Sequence, residues 1–186
     1  MNHTVTIGNR RIGAGQPTFI VAEIGINHNG DINVARRLID VAAAAGADAV
    51  KFQKRTIPLV YNEEERAKPR EVPPHLIVLA MQRGVLAQDA SLRLTSSNFT
   101  DTRNGDQKWA LEFTKKEYAE IDAYCKEKNI MWFASPWDEE SVDFLEEFDP
   151  PCYKVASASL TDDGLLTHIR SKVRPIILST GMSTME

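Results

Sequence analysis

Two apolar runs joined by a helical pattern constrain this chain more than any other feature. Phe19-Ile-Val-Ala-Glu-Ile-Gly-Ile-Asn27 reads as a buried strand that breaks into the turn His28-Asn-Gly30. Asp31 then caps a helix whose apolar positions, Val34, Leu38, Ile39, Val41 and Ala42, recur at helical spacing. Gly46 ends that helix, and Ala49-Val-Lys-Phe-Gln53 is the next strand. Strand, crossover helix and strand make a right-handed parallel unit. Glu23 and Lys51 stand near the carboxyl ends of its strands, where parallel α/β proteins bind their ligands.

The alternation continues along the chain. Residues 4–14 alternate polar and apolar around Gly8-Asn9, which predicts a β-hairpin within the N-terminal segment 1–15. Thr114-Lys-Lys-Glu117 is a capping box opening a helix to Lys128. Ile130 to Ser135 is a third strand, Asp138 to Phe148 a helix, Cys152 to Ala156 a fourth strand. Thr161 is expected to cap a helix running to Lys172, before a fifth strand from Pro175 to Ser179. Between strands two and three, residues 70–108 read as an irregular insertion, with a helix from His75 to Gly84, a short one near Ala90 and a polar stretch from Thr95 to Lys108. Ordered loops of this length are usually functional. The sum is a hairpin, five parallel strands and four crossover helices, or about half of the roughly eight strands a parallel barrel needs. No Gly-rich dinucleotide fingerprint and no Walker loop occurs, which counts against doubly wound nucleotide-binding folds.

Composition removes several functions. The net charge of −4 gives no electrostatic footing for nucleic acid or a membrane surface. No apolar run approaches the ~20 residues of a transmembrane helix, and the N-terminus lacks a signal-peptide core. Cys125 and Cys152 have no metal-ligand spacing and read as reduced cytosolic thiols.

Period-two alternation sorts the chemistry. In strand one, Val21, Glu23, Gly25 and Asn27 share a face, expected to look inward, while Ala22, Ile24 and Ile26 pack against helices. Lys51 and Gln53 share a face of strand two, strand three ends in Ser135, strand four carries Lys154 and leads to Ser157 and Ser159, and strand five ends in Ser179-Thr180-Gly181. A packed apolar barrel has no use for two inward lysines, which are costly to bury unless paired or bound to an anion. Lysines and hydroxyls around one cavity suit a phosphate or a carboxylate. Taken alone, Glu23 with Lys51 also reads as a structural ion pair. His28 reads as a turn residue making a local hydrogen bond. His3, His75 and His168 read as surface residues, and Trp132 and Trp137 as packing.

Taken in order and spacing, FIVAEIGINHNGD, AGADAVKFQK, WFASPWDEESVDFLE, CYKVASASLTD and PIILSTGMSTME resemble the sialic acid synthase (N-acetylneuraminate synthase) family over residues 15–186, apart from 70–105. That family condenses phosphoenolpyruvate with N-acetylmannosamine, or a related amino sugar, and water, releasing phosphate. The resemblance implies an α/β, TIM-type barrel, incomplete here, with residues 1–186 as the N-terminal portion of one barrel domain. It implies a cytoplasmic transferase of carbohydrate biosynthesis, a homodimer at full length, with no nucleic acid or membrane partner. It assigns the active-site glutamate to Glu23, phosphoenolpyruvate contacts to Lys51, Ser135, Lys154 and Ser157, a sugar-side position to Gln53 and a sugar contact to Asn104. It also implies a divalent metal, Mn or Mg, whose histidine ligands lie beyond Glu186 together with an antifreeze-like domain, so that no metal ligand is expected in 1–186. The segment from Val72 to Thr102 is longer than in many relatives and is expected over the mouth of the site.

Two other readings remain. One is a lysine Schiff-base aldolase of the same fold, using Lys51 or Lys154. The other is a half barrel that only binds or assembles. Whichever reading holds, the open edges of strands one and five and the apolar helix faces lead one to expect that the isolated 186-residue chain is inactive and poorly soluble.

Overall fold

A computed structural model describes residues 4–184. The chain opens with the expected hairpin: β1 (Val5–Ile7) pairs antiparallel with β2 (Arg10–Ile12), and Gly8 turns between them at φ +54°. The hairpin is a stopper. Ile7 packs with Ala49, Phe133 and Cys152 beneath the inner face of the sheet.

Three parallel strands follow in one sheet, in the order β3 (Val21–Gly25), β4 (Ala49–Lys54) and β5 (Met131–Pro136). β6 (Tyr153–Val155) lies beside β5 and pairs in parallel with β7 (Ile176–Leu178). Strand order follows chain order. Among the described residues no ladder joins β7 back to β3, so the sheet is open. The alternation holds in register. Glu23 faces Lys51 across β3 and β4, and Gln53 faces Ser135 across β4 and β5.

Outward residues build the main core. Ile24, Val50, Phe52, Trp132, Ala134 and Tyr153 pack against α1 (Ile32–Ala44), α7 (Lys115–Glu127), α8 (Glu139–Glu146) and α9 (Asp163–Ser171). Inward residues change character along each strand. The amino halves supply Val21, Ala49, Phe133, Cys152 and Ile177, and the carboxyl halves supply Glu23, Lys51, Gln53, Ser135 and Lys154. Apolar burial holds one end of the inner face, and polar groups are left at the other.

Helix starts follow local chemistry. The Asp31 carboxylate accepts from the N–H groups of Asn33 and Val34, and the Thr114–Glu117 capping box forms in both directions. One cap is corrected. Asp162, not Thr161, caps α9 by accepting from Leu165 N at 3.0 Å, since its carboxylate reaches the third residue of the helix.

The region between β4 and α7 is more helical than its composition suggests. It folds as α2 (Ile57–Val60), α3 (Glu63–Ala67), α4 (Pro74–Gln82), α5 (Gln88–Ser96) and α6 (Asn104–Leu111). The polar stretch from Thr95 to Lys108 therefore ends inside a helix. Asp106 starts α6 by accepting from the N–H of Arg103 at 2.7 Å, while Arg93 holds the same carboxylate at 2.7 and 2.9 Å. Val72, Leu76, Ile77 and Leu94 form a small separate core. No helix among the described residues is long and apolar enough to cross a membrane.

Candidate functional site

The carboxyl ends of β3, β4, β5 and β6 bring the inward polar residues together. Lys51 is the centre. Its side chain is only 7 % exposed, yet every proton of the ammonium has a neighbour: Glu23 Oε2 at 2.8 Å, Ser135 Oγ at 3.2 Å and the Phe52 carbonyl at 3.5 Å. The Glu23 side chain is 56 % exposed, so one end of this pair faces the open mouth. Pairing and hydrogen bonding are what make a buried ammonium tolerable.

Lys154 is placed differently. It makes no side-chain hydrogen bond or ion pair among the described residues. Partial burial pushes its ammonium pKa down, the positive charge of Lys51 pushes the same way, and Glu23 opposes both. Two cations held close, one of them unpartnered, have an unmet need for negative charge.

Gly25 is the floor of the glutamate. The β3–β4 register slips between Glu23 and Gly25, and Gly25 takes φ +54°. A Cβ at Gly25 would stand 3.0 Å from Glu23 Oε1 and 3.5 Å from Gln53 Nε2. Glycine takes this left-handed backbone without strain, and any Cβ here would press on the tip of the Glu23 side chain. Ser157 begins a 3₁₀ turn just past β6, and Gly181 approaches it so closely that an added Cβ would lie 3.7 Å from Ser157 Oγ.

Asn104 has other bonds. Its Oδ1 accepts from Arg70 at 3.2 Å, its Nδ2 donates to the Glu65 carbonyl at 3.2 Å, and its backbone N–H donates to the Lys68 carbonyl at 2.9 Å. These contacts tie α6 to α3 within the insertion and include none of the strand-end residues.

Several residues that matter locally have no sequence motif. His28 is 2 % exposed, accepts from Gly30 N at 3.0 Å through Nδ1, and stacks on Phe113 with ring centres 4.1 Å apart. The expected local bond is present, inside a buried ring stack. Arg55 and Glu112 form a buried pair at 2.6 Å. Arg83 binds Glu117 and the carbonyls of Ala110 and Glu112, joining α4 to the start of α7. A cavity of about 370 Å³ lies beside Arg55, walled by Ile57, Val85, Trp109 and Phe113. The strand-end cluster is by contrast a surface, because the sheet that carries it is open.

The described residues do not fit a divalent metal. No group of three or more His, Cys, Asp or Glu side chains is placed to hold one. Glu23 already faces an ammonium, and Nδ1 of His28 is engaged by the Gly30 N–H.

The chain as a whole has relatives among known proteins. The sequence profile of the NeuB family matches residues 87–186. The chain is 34 % identical to N-acetylneuraminate-9-phosphate synthase of Mus musculus, over 95 % of this chain and 43 % of that protein. It is 33 % identical to N,N'-diacetyllegionaminic acid synthase of Campylobacter jejuni, over 90 % of this chain and 43 % of that protein. Among solved structures, the N-acetylneuraminic acid (sialic acid) synthetase of Leptospira borgpetersenii matches with a TM-score of 0.72 and 30 % identity, over 100 % of this chain and 52 % of that one. The chain thus spans less than half the length of the curated relatives it matches. The fold is that of their TIM-type barrel, open here. Strand order, profile and relatives agree that this chain belongs to the NeuB family.

Proposed function

We propose that the chain carries the phosphoenolpyruvate-holding face of a nonulosonic acid synthase, a cytoplasmic transferase that joins phosphoenolpyruvate to N-acetylmannosamine or a similar amino sugar. The observation that carries this reading is Lys51, buried between Glu23 and Ser135, with unpartnered Lys154 beside it. Phosphoenolpyruvate places a phosphate and a carboxylate on three carbons. Lys51 and Lys154 supply the positive charge, and the Ser135 and Ser157 hydroxyls supply short-range donors. C3 of phosphoenolpyruvate attacks the aldehyde carbon of the sugar, the C=O π pair moves to the aldehyde oxygen, which takes a proton from water to become a hydroxyl, and positive charge is left at C2. Water adds to C2, the C2–O bond to phosphate breaks, and phosphate leaves. Glu23 faces that carbon, stabilises the positive charge and takes the proton of the attacking water. Gln53 stands on the sugar side, and Asn104 reaches the sugar only if α6 and α3 part. A homodimer at full length belongs to the same proposal.

The test is binding. Titration of the chain with phosphoenolpyruvate, followed by calorimetry and by ³¹P NMR, is expected to saturate. Lys51→Ala and Lys154→Ala are each expected to weaken it about tenfold or more, an ion pair to a phosphate being worth ~1.5 kcal/mol or more. Equal affinity of wild type and Lys154→Ala would sink the proposal.

One observation favours a second reading. The lowered pKa of unpartnered Lys154 is what a Schiff-base lysine needs. Borohydride in the presence of pyruvate would then add a permanent mass to Lys154. No such adduct is expected on the synthase reading.

A further inference from the structure

The helices that follow β4 gather more donors than acceptors. Lys108 lies on α6 one turn past Asn104, so the two share a face. Its ammonium stands over the Tyr61 ring, 5.1 Å from the centroid, and makes no hydrogen bond or ion pair among the described residues. The Arg70 guanidinium reaches the same face, where Nη1 donates to Asn104 Oδ1 at 3.2 Å. It has no carboxylate partner among the described residues. Tyr61 completes the group. Its hydroxyl oxygen accepts from Arg55 Nη1 at 3.3 Å, and its own proton goes to no described acceptor. A hydroxyl that accepts from a guanidinium is the stronger donor on its other side. Beneath it the Arg55 side chain is 4 % exposed, and its Nη2 has no partner. The nearby acids are already in use. Glu65 pairs with Lys68 and receives Asn104 Nδ2 at 3.5 Å, and Glu112 is held by Arg55.

We propose that Tyr61, Arg70 and Lys108 form a second anion site, built in the insertion from none of the strand-end residues, that takes a phosphate group. Two cations and a hydroxyl suit a dianion whose oxygens project in several directions; a planar carboxylate would leave donors unmet. Burial, then Arg70, then Arg55 push the Lys108 pKa down, and Glu65 opposes them, as expected of an ammonium short of negative charge. Cations on a fully solvated helix face would show neither the half-burial of Lys108 and Tyr61 nor a hydroxyl aligned by a buried guanidinium. β4 links the two sites, since it carries Lys51 and Gln53 on its inner face and runs directly into Arg55. The phosphate arrives either free, as inorganic phosphate, or as an ester on the sugar hydroxyl remote from the aldehyde. The second source rests on the proposal that the strand ends join phosphoenolpyruvate to an amino sugar.

The experiment titrates the full chain with inorganic phosphate and follows side-chain resonances by NMR. Those of Tyr61 and Lys108 are expected to shift and saturate. They are expected to do so in Lys154→Ala as well, where the strand-end cluster has lost a cation. Lys108→Gln and Arg70→Gln are each expected to weaken phosphate about threefold to tenfold, the worth of one part-exposed ion pair. Tyr61→Phe keeps the ring under Lys108, loses the donated proton and is expected to weaken phosphate about threefold. If Tyr61→Phe does not fold, the Lys108 and Arg70 variants carry the test, because neither side chain belongs to a core. Parallel titrations with N-acetylmannosamine and its 6-phosphate separate the sources. An ester source makes the sugar phosphate bind at least about tenfold more tightly than inorganic phosphate, an advantage lost in Lys108→Gln. Equal affinity of the two assigns the site to free phosphate.

Phosphate shifts confined to the strand ends would overturn the proposal. So would loss of the Tyr61 response in Lys154→Ala, or unchanged phosphate affinity in folded Lys108→Gln and Arg70→Gln. If phosphoenolpyruvate does not bind, the functional proposal falls, and the titration with inorganic phosphate still decides this site.

Discussion

Arg55 Nε donates to Glu112 Oε1 at 2.6 Å, across 57 positions of sequence, and the two side chains are only 4 % and 8 % exposed. The pair pins the end of β4 to the segment before α7. Its guanidinium is not fully satisfied, since Nη2 is buried without a partner. Buried pairs are costly to break from one side, because the remaining charge has no water to turn to. Glu112→Leu is expected to cost about 3–5 kcal/mol in urea unfolding, and adding Arg55→Met is expected to recover most of it. A double variant no more stable than the single one would show that the pair is not the source of the loss.

His28 also sets a pH dependence. Its folded pKa, about 3, lies below the ordinary 6.5. Between those values the unfolded chain takes up a proton that the folded chain refuses. Stability therefore falls as pH drops through this window, by up to about 1.4 kcal/mol per unit. The groups facing the ring are Arg83 and Arg55, which favour the neutral form, and Glu117 and the Gly25 backbone, which oppose it. Urea midpoints from about pH 7 to about pH 5 are expected to fall less steeply in His28→Phe than in wild type.

Two glycines separate strain from collision. Gly30 lies at φ +72°, and a Cβ there would sit 2.1 Å from the Ala110 carbonyl oxygen. Gly46 lies at φ +77° with nothing within 4 Å. Gly46→Ala is expected to cost ~1–2 kcal/mol, the left-handed penalty alone. Gly30→Ala adds a backbone clash and is expected to cost at least ~3 kcal/mol. Equal melting temperatures for the two variants would contradict this packing.

Leu94 is fully buried in the satellite core with Val72, Leu76 and Ile77. Leu94→Ala is expected to cost about 2–5 kcal/mol within that core. Hydrogen exchange is expected to quicken across α4 and α5 while β4 amides stay protected, because the two cores share no buried side chain. Uniform loss of protection would mean that they unfold as one.

The strand-end cluster was legible because strands have period two and change from apolar to polar along their length. Lys51 and Gln53, Ser135, and Lys154 could each be placed on the inner face from their neighbours. The hairpin was legible from Gly8-Asn9, and α7 from its capping box. Hidden were the contacts between residues far apart in sequence, such as Arg83 with Glu117 and Arg55 with Glu112. The start of α6 was hidden for a related reason, since Asp106 is steadied by Arg93 on another helix. The buried ring stack of His28 on Phe113 joins positions 85 apart in the chain, so a turn histidine was all the sequence could show.

The separate core of the insertion has a consequence for change over time. Its apolar contacts close upon themselves, and the sheet's apolar contacts do the same. Lineages are then free to lengthen, trim or exchange that helical cassette without re-solving the packing of the strands. The seam where such edits meet resistance includes the Arg55–Glu112 pair, at the end of β4, and the stack of Phe113 on His28, in the loop after β3.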